Sequence, residues 1–320
     1  MITDAVAAPS AHNTQPARFV VRRDAVELHL DPRRVLAVAD PNGREARLGC
    51  GAALFNLRLA LRARCHSGDV RLLPDRSRPL LLATVRLGRS RPASPLEVAL
   101  HRAIHRRHSH RGPFNHAPVS PLVRRLIIQA AAAEGAELRL IDDRPTVGRI
   151  AALIRRAEHD QQSDPRFADE LARWTFDGRS RRDGVPRSVG GLRPAAGGLV
   201  VLRDFAPGSP RPERDFEPDP LFGVLVSHGD TPLDQLRAGQ ALQRALLTAT
   251  VYGAAAGMLS QPVELPPARA ALKRLLGGAY PQLILRIGMA SPTSGAPRRP
   301  VHEVLEIEDE KRAEQCRTHR

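Results

Sequence analysis

Aromatic residues, lysine and cysteine are all scarce in this chain of 320 residues. Aromatics make up only 3%, so Ala, Leu and Val must build most of the core. Charge interrupts every apolar run well before the ~18 residues of a membrane-spanning helix, which argues against a membrane protein. The N-terminus shows no signal-peptide pattern. Cys50, Cys65 and Cys316 are too few for a disulfide framework, so we expect a cytoplasmic protein.

Positive charge is abundant instead, with a formal net charge of +15 at pH 7. All but two of the 49 basic residues are arginine, the exceptions being Lys273 and Lys311. Nucleic-acid-binding proteins concentrate such charge on one segment and interleave it with aromatic residues. Here arginine is spread along the whole chain. A basic nucleic-acid-binding protein is therefore a remote alternative, and we expect no specific nucleic-acid partner.

The order of apolar patterns predicts an α+β chain with a long irregular insertion. Ser163 to Pro220 is rich in Pro, Gly and Arg, and so long an excursion in a compact domain usually has a functional reason. We interpret it as a lid. Order returns with a strand at 221–227, a helix from about 233 to 256 and a strand at 283–288.

Two helical segments, 50–61 and 238–249, echo one another at one constant spacing. Each is followed by an apolar strand that begins with proline. The order predicts a duplicated, pseudo-twofold chain with halves at 1–95 and 96–320. The identical pairs are Gly51/Gly239, Ala53/Ala241, Leu54/Leu242 and Leu59/Leu247.

The glycines of the first echo have two interpretations. Gly49-x-Gly51 could open a dinucleotide-binding turn, but it lacks the third glycine and the acidic residue about 20 positions on. The other interpretation is that Gly51 and Gly239 let two helices pack closely, and we favour it.

The stretch Ala8-Pro-Ser-Ala-His-Asn-Thr-Gln-Pro16 combines a proline turn with a hydroxyl and two amides. Side-chain amides offer both donors and acceptors, which suits the edge of a heteroaromatic ring. By composition alone a surface turn is the favoured interpretation. The candidates here are Ser10, Asn13 and Gln15.

A second stretch, His105 to Phe114, carries Arg107, Ser109 and Arg111 at alternate positions. On an extended segment these side chains would share one side, and two guanidinium groups beside a hydroxyl suit a phosphate dianion. The alternative is a solvated basic loop. His101 and His105 stand one helical turn apart, but no third ligand accompanies them, so no metal site is predicted.

The third stretch follows the last strand, where Arg298 and Arg299 stand in a Gly/Pro/Ser loop. They could add positive charge to the same phosphate site, or lie on the surface.

Together these stretches resemble the Acg-type branch of the nitroreductase superfamily, from about Val6 to Leu305. Pro-Ser-x-His-Asn-Thr-Gln-Pro, Asp-Pro-Asn-Gly-Arg-Glu and Arg-His-Ser-x-Arg carry the resemblance in the first part of the chain. In the second part, 236–243, Gln261-Pro-Val-Glu264 and 281–288 match the same branch. The family pattern Gln-Pro-Trp-Arg departs here, since Ala17 replaces the aromatic residue.

The resemblance implies a nitroreductase-like α+β fold of mostly antiparallel sheets wrapped by helices, and FMN as cofactor. Matched motif by motif, the first loop would meet the flavin ring and the second half would hold its phosphate, giving one flavin per fused chain. A further homodimer is compatible with this. The cofactor-binding residues would be Ser10, Asn13, Gln15, Arg107, Ser109, Arg111, Gln261, Arg298 and Arg299.

The function implied is NAD(P)H-dependent two-electron reduction of nitroaromatic or quinone-type acceptors by a ping-pong mechanism. NAD(P)H and a small aromatic acceptor are then the expected partners, and no side chain is predicted to be a nucleophile. The main alternative is a flavin storage or sequestering protein that turns over little because the 163–220 segment covers its flavin.

Overall fold

The computed structural model describes residues 1–178, 181–190, 192–205, 207, 211–291 and 295–308; Cys316 lies outside these ranges. They form two mostly antiparallel sheets wrapped by helices, which confirms the predicted α+β class. No helix in the described part of the chain is long and apolar enough to cross a membrane.

The helices begin mostly at Ser, Thr or Asp caps followed by proline, which sets the first turn. They are α1 (Ile2–Val6), α2 (Arg44–Arg62), α3 (Pro95–Ala103), α4 (Pro121–Ala132), α5 (Arg144–Gln162), α6 (Pro165–Arg173), α7 (Pro232–Val251), α8 (Gln261–Glu264) and α9 (Pro266–Leu275).

The strands fall into two main sheets and two short pairs. They are β1 (Ala17–Val21), β2 (Ala25–Leu30), β3 (His66–Leu72), β4 (Leu81–Ser90), β5 (Glu137–Ile141), β6 (Thr175–Phe176), β7 (Val185–Pro186), β8 (Arg193–Pro194), β9 (Glu213–Arg214), β10 (Leu221–Ser227), β11 (Ala254–Leu259), β12 (Tyr280–Met289) and β13 (Leu305–Ile307).

The first sheet has the order β13-β1-β2-β4-β3 and the second has the order β11-β12-β10-β5. Strand β13 pairs in parallel with β1, with Phe19 opposite Leu305, so the end of the described chain returns to the first sheet. Strand β10 is buried along its whole length, which explains its continuous apolar run.

Helices α2 and α7 pack against each other at the two glycines of the internal echo. A Cβ atom on Gly51 would lie 2.2 Å from the Leu236 carbonyl oxygen, and one on Gly239 would lie 2.1 Å from that of Leu48. The packing interpretation of both glycines is thus confirmed. The contact is also reciprocal, because each helix places its glycine against a leucine carbonyl of the other helix. The two leucines have the same separation along the chain as the two glycines, as a local two-fold axis would produce.

The predicted helix from about 233 to 256 ends earlier, at Val251. Gly253 has φ +77°, a left-handed conformation that ends the helix and turns the chain into β11. Helix α5 was not predicted, because its many arginines obscure an apolar face that includes Ile150 and Ile154.

The lid (residues 163–220) contains α6 and the strands β6 to β9, so it is more ordered than its composition predicts. Several of its apolar side chains form a separate cluster with the loop between β2 and α2. The buried members of this lid cluster are Leu36, Ala39, Phe167, Leu171, Val185 and Phe205.

We predict that Gly51→Ala lowers the free energy of unfolding by about 1–3 kcal/mol or more, because its Cβ would overlap the backbone of α7. Gly148→Ala in α5 is the matched control. A Cβ there meets nothing within 4 Å, and a helical Gly→Ala change should stabilise by up to about 1 kcal/mol. Urea denaturation followed by circular dichroism measures both. Equal effects of the two changes would contradict the proposed packing.

Candidate cofactor-binding site

The first loop (residues 8–16) is held in a strained conformation against α2. His12, Asn13 and Gln15 have φ values of +46°, +54° and +53°, a region that residues other than glycine rarely adopt. The loop passes so close that a Cβ atom on Gly49 would lie 3.2 Å from a loop side chain. Each such residue costs about 1–3 kcal/mol and persists only where its surroundings enforce it. The shape of the loop is therefore imposed by its contacts.

Asn13 ties the first loop to two distant segments. Its Nδ2 donates hydrogen bonds to the carbonyl oxygens of Gly184 at 2.8 Å and Pro297 at 3.0 Å. Its Oδ1 accepts from Arg298 Nη1 at 3.0 Å. The amide thus joins the lid and the C-terminal loop to the first loop.

Gln15 makes a second tie of the same kind. Its Nε2 donates to the Arg182 carbonyl oxygen at 2.9 Å, and its Oε1 accepts from the backbone N–H of Arg299 at 2.8 Å. The hydroxyl of Ser10 accepts from the Gln15 N–H at 2.9 Å. The Arg299 guanidinium does not take part in this tie; its Nε donates to the Glu303 carboxylate at 3.0 Å.

Arg107 and Arg298 converge on one backbone carbonyl. Their Nη2 atoms lie 3.4 Å and 3.3 Å from the Ala7 oxygen, and both Nε atoms are buried without a hydrogen-bond partner. Burial, and then the charge of Arg298, lowers the pKa of Arg107 to about 9; burial lowers that of Arg298 to about 10. Within the described ranges no carboxylate pairs with either. Buried unpaired cations are costly, so this arrangement would be completed by an anion.

Ser109 and Arg111 lie further along, where the chain adds to the edge of the second sheet. Ser109 pairs in parallel with Ala256 of β11. Arg111 donates to the Val189 carbonyl oxygen at 3.3 Å and its Cζ lies 4.8 Å from the Phe205 ring centre. Burial, followed by the charge of a second arginine, lowers the pKa of Arg111 to about 10.

A cavity of about 90 Å³ separates the first loop from the second sheet, with the lid across it. Gln261 lies in its wall and donates to Glu158 at 3.2 Å. Four of the predicted residues, Ser10, Ser109, Arg111 and Gln261, border this cavity. The other five are not in its wall: Asn13, Gln15, Arg107, Arg298 and Arg299. Other residues in its wall, contributed by the first loop, α2, β11 and the lid, are His12, Glu45, Leu48, Leu202, Arg203, Phe205 and Met258.

Arg203 of the lid, which lies in the cavity wall, contacts three polar side chains. It donates to the Glu264 carboxylate at 2.6 Å and 3.0 Å, to Gln161 Oε1 at 2.9 Å and to His12 Nε2 at 2.6 Å. Sequence reasoning missed Arg203, because no motif surrounds it and its partners lie 42, 61 and 191 positions away.

The buried carboxyl and imidazole groups here have strongly displaced pKa values. Burial alone would raise the pKa of Glu264, but Arg203 outweighs it and holds that pKa at about 2. Burial, then Arg203, lowers the pKa of His12 to about 3, so the ring is neutral. Burial, then the charge of Glu264, raises the pKa of Glu45 to about 8.

His101 and His105 do not reach the cavity. Both Nε2 atoms face the carboxylate of Asp4, at 3.4 Å and 2.9 Å. They join α3 and the turn after it to α1, which leads into the first loop.

No protein-family model matches this chain, but three proteins of Mycobacterium tuberculosis are similar to it over nearly their whole length. One, provisionally named an NAD(P)H nitroreductase, is 34% identical, covering 99% of this chain and 93% of that protein. Acg, provisionally named in the same way, is 32% identical over 94% of this chain and 92% of its own length. A third, uncharacterised, is 30% identical over 94% and 90%.

Solved structures are similar only at a distance. A nitroreductase with bound FMN from Desulfitobacterium hafniense is 13% identical, with a TM-score of 0.40 over 66% of this chain and 98% of that chain. An iodotyrosine deiodinase bound to FMN and 3-iodo-L-tyrosine is 15% identical, with a TM-score of 0.41 over 63% and 96%.

We predict that Asn13→Ala loosens the lid, because the carbonyl oxygens of Gly184 and Pro297 and the Arg298 guanidinium each lose a hydrogen bond. The free energy of unfolding should fall by about 1–3 kcal/mol. Trypsin should cut the lid faster near Arg182, at low enzyme concentration with the fragments identified by mass spectrometry. Asn42→Ala is the control, since Asn42 is exposed and contributes only its backbone oxygen to Arg47. An unchanged cleavage rate in Asn13→Ala would show that the amide does not hold the lid.

Proposed function

The chain belongs to the NAD(P)H nitroreductase family that includes Acg, and we propose that it is an FMN-dependent oxidoreductase whose cofactor lies in the cavity between the first loop and the second sheet. Its reductant would be NAD(P)H and its acceptor a nitroaromatic or quinone-type compound. The single observation that carries the proposal is the pair of buried, anion-free guanidinium groups of Arg107 and Arg298 beside that cavity.

The phosphate of FMN fits this pair chemically. Guanidinium groups bind phosphate oxygens through charge-assisted hydrogen bonds, and a dianion would offset two buried positive charges at once. The two Nε atoms without partners are donors that phosphate oxygens can satisfy. Asn13 holds Arg298 in place from the first loop.

The flavin ring would be walled by Ser10 of the first loop, by Ser109 and Arg111, and by Gln261 of α8. Small-molecule pockets usually measure about 300–1,000 Å³. The cavity of about 90 Å³ is smaller, so the lid residues that border it must move when a cofactor ring enters.

When bound, FMN would supply two-electron redox chemistry between NAD(P)H and the acceptor, in a ping-pong cycle. The contribution of the chain is positioning and exclusion. Arg107 and Arg298 would hold the phosphate of the cofactor, the strained first loop would border its ring, and the lid would keep water from the cavity.

The composite site supports the division into halves at 1–95 and 96–320. The first half supplies Ser10, Asn13 and Gln15, and the second supplies the arginines. The reciprocal contact of α2 and α7 is the arrangement expected of two fused nitroreductase-like subunits. We therefore propose one FMN per chain, in a fused pseudo-dimer.

A second candidate, flavin storage with little turnover, is favoured by the lid. Leu202, Arg203 and Phe205 border the cavity directly, and the ion pair of Arg203 with Glu264 is buried. A lid that stays closed would keep NAD(P)H from the flavin.

We expect the purified protein to be yellow and to release about one FMN per chain on denaturation. In the absence of air, NADPH should bleach the flavin absorbance if the chain is an enzyme. Flavin that dithionite bleaches and NADPH does not would support storage instead. A colourless protein that takes up no added FMN would contradict both candidates.

Arg107→Gln and Arg298→Gln should each weaken FMN binding by about 10- to 100-fold, corresponding to about 1.5–3 kcal/mol for a charge-assisted hydrogen bond. Riboflavin lacks the phosphate, so its affinity should change little in either variant. Arg299→Gln is the matched control, because its guanidinium bonds Glu303. Titration of flavin fluorescence measures all of these affinities. Equal losses for FMN and riboflavin would show that the two arginines do not hold the phosphate.

A further inference from the structure

We propose that acid opens the lid, and that protonation of His12 releases Arg203 from the cavity. The inference concerns regulation of the site described above, and it rests on the proposed function only for what the open lid admits. The movement of the lid itself is measured without any flavin.

The lid accounts for much of the burial of His12. The rings of Phe167 and Phe205 both meet the imidazole edge-on, with centroids 6.3 Å and 5.7 Å away. Arg203 covers its Nε2 at 2.6 Å, and only 5% of the residue is exposed. All three neighbours belong to the lid, so an opened lid returns His12 to water.

The contact between Arg203 and His12 requires a neutral ring. The guanidinium donates a hydrogen bond to Nε2, and this nitrogen can accept one only while it carries no hydrogen of its own. Once protonated, both ring nitrogens are donors, and two positive charges face each other inside the protein. Protonated His12 and the closed position of Arg203 are therefore mutually exclusive.

Glu264 acts in the same direction. Once Arg203 has withdrawn, the negative charge of Glu264 favours the protonated form of His12. Acid that protonates Glu264 itself also weakens the ion pair of Glu264 with Arg203. Arg111 opposes protonation in the closed state. The ionisable groups that face His12 and Arg203 are Glu45 of α2, Arg111, Glu158 of α5 and Glu264 of α8.

The direction of the pH dependence follows from the two states of His12. Its pKa is about 3 with the lid closed. For the open state, in which water surrounds the ring, we take the ordinary imidazole pKa of about 6.5. Below pH 6.5 the open state binds more protons, so acid favours it. The ratio of open to closed chains should rise about tenfold between pH 7.5 and 5.5 from His12 alone.

The lid contains the only tryptophan of the chain, Trp174, which is partly buried against the lid cluster. Quenching of its fluorescence by acrylamide, a neutral molecule, reports the access of solvent to that cluster. We expect quenching of the full-length protein to increase as the pH falls from 7.5 to 5.5, with unchanged circular dichroism.

Two variants separate the sensor from the latch. His12→Gln keeps an acceptor for Arg203 but does not titrate, so the lid should stay closed at both pH values; Gln15 shows that the loop accepts glutamine at positive φ. Arg203→Gln should raise quenching already at pH 7.5. Arg187→Gln removes an exposed lid arginine that pairs with Asp177, and should behave as the wild type.

An unchanged pH response in His12→Gln, or wild-type quenching at pH 7.5 in Arg203→Gln, would overturn the inference. So would a wild-type protein whose quenching does not depend on pH. Absence of bound FMN would contradict the proposed function while leaving the lid result standing, so the two failures are distinguishable.

Discussion

The close contact of α2 with α7 at Gly51 and Gly239 is the constraint on which the rest of the structure depends. Each glycine lies against a backbone carbonyl of the opposite helix, so neither position has space for a side chain. This contact joins the helix that supports the first loop to the helix that packs on the second sheet. The cavity lies beside it, with Leu48 of one helix and Leu242 of the other in its wall.

Charge is distributed unequally around that cavity. Arg107 and Arg298 are buried without a carboxylate in the described chain, so the pair favours an anion. Glu264 and Glu158 are buried too, but Arg203 of the lid faces them. The closed lid therefore neutralises the acidic group from within the fold, whereas the basic pair needs a ligand.

The sequence was sufficient to predict features that depend on local or periodic patterns. Strand β10 follows from its unbroken apolar run, and the packing glycines from their constant spacing. The three stretches of the candidate site were found because each carries its own motif. The contact of Arg203 with Glu264 and His12 could not be found that way, because it joins single residues from distant segments and leaves no periodic pattern. Residue alternation also cannot show that Arg107 meets Arg298 while Arg111 meets the lid.

The closed lid sets a condition on any ligand of this cavity. Because the space is only about 90 Å³ and Arg203 lies in its wall, we expect a ring system to enter only chains in which Arg203 has moved away. The apparent affinity then equals the affinity of the open state multiplied by the fraction of open chains. Occupancy is thus governed by one buried ion pair and one neutral imidazole as much as by the residues that touch the ligand. One fold can therefore support either flavin storage or catalytic turnover, because the same site serves both functions and the frequency of lid opening decides between them.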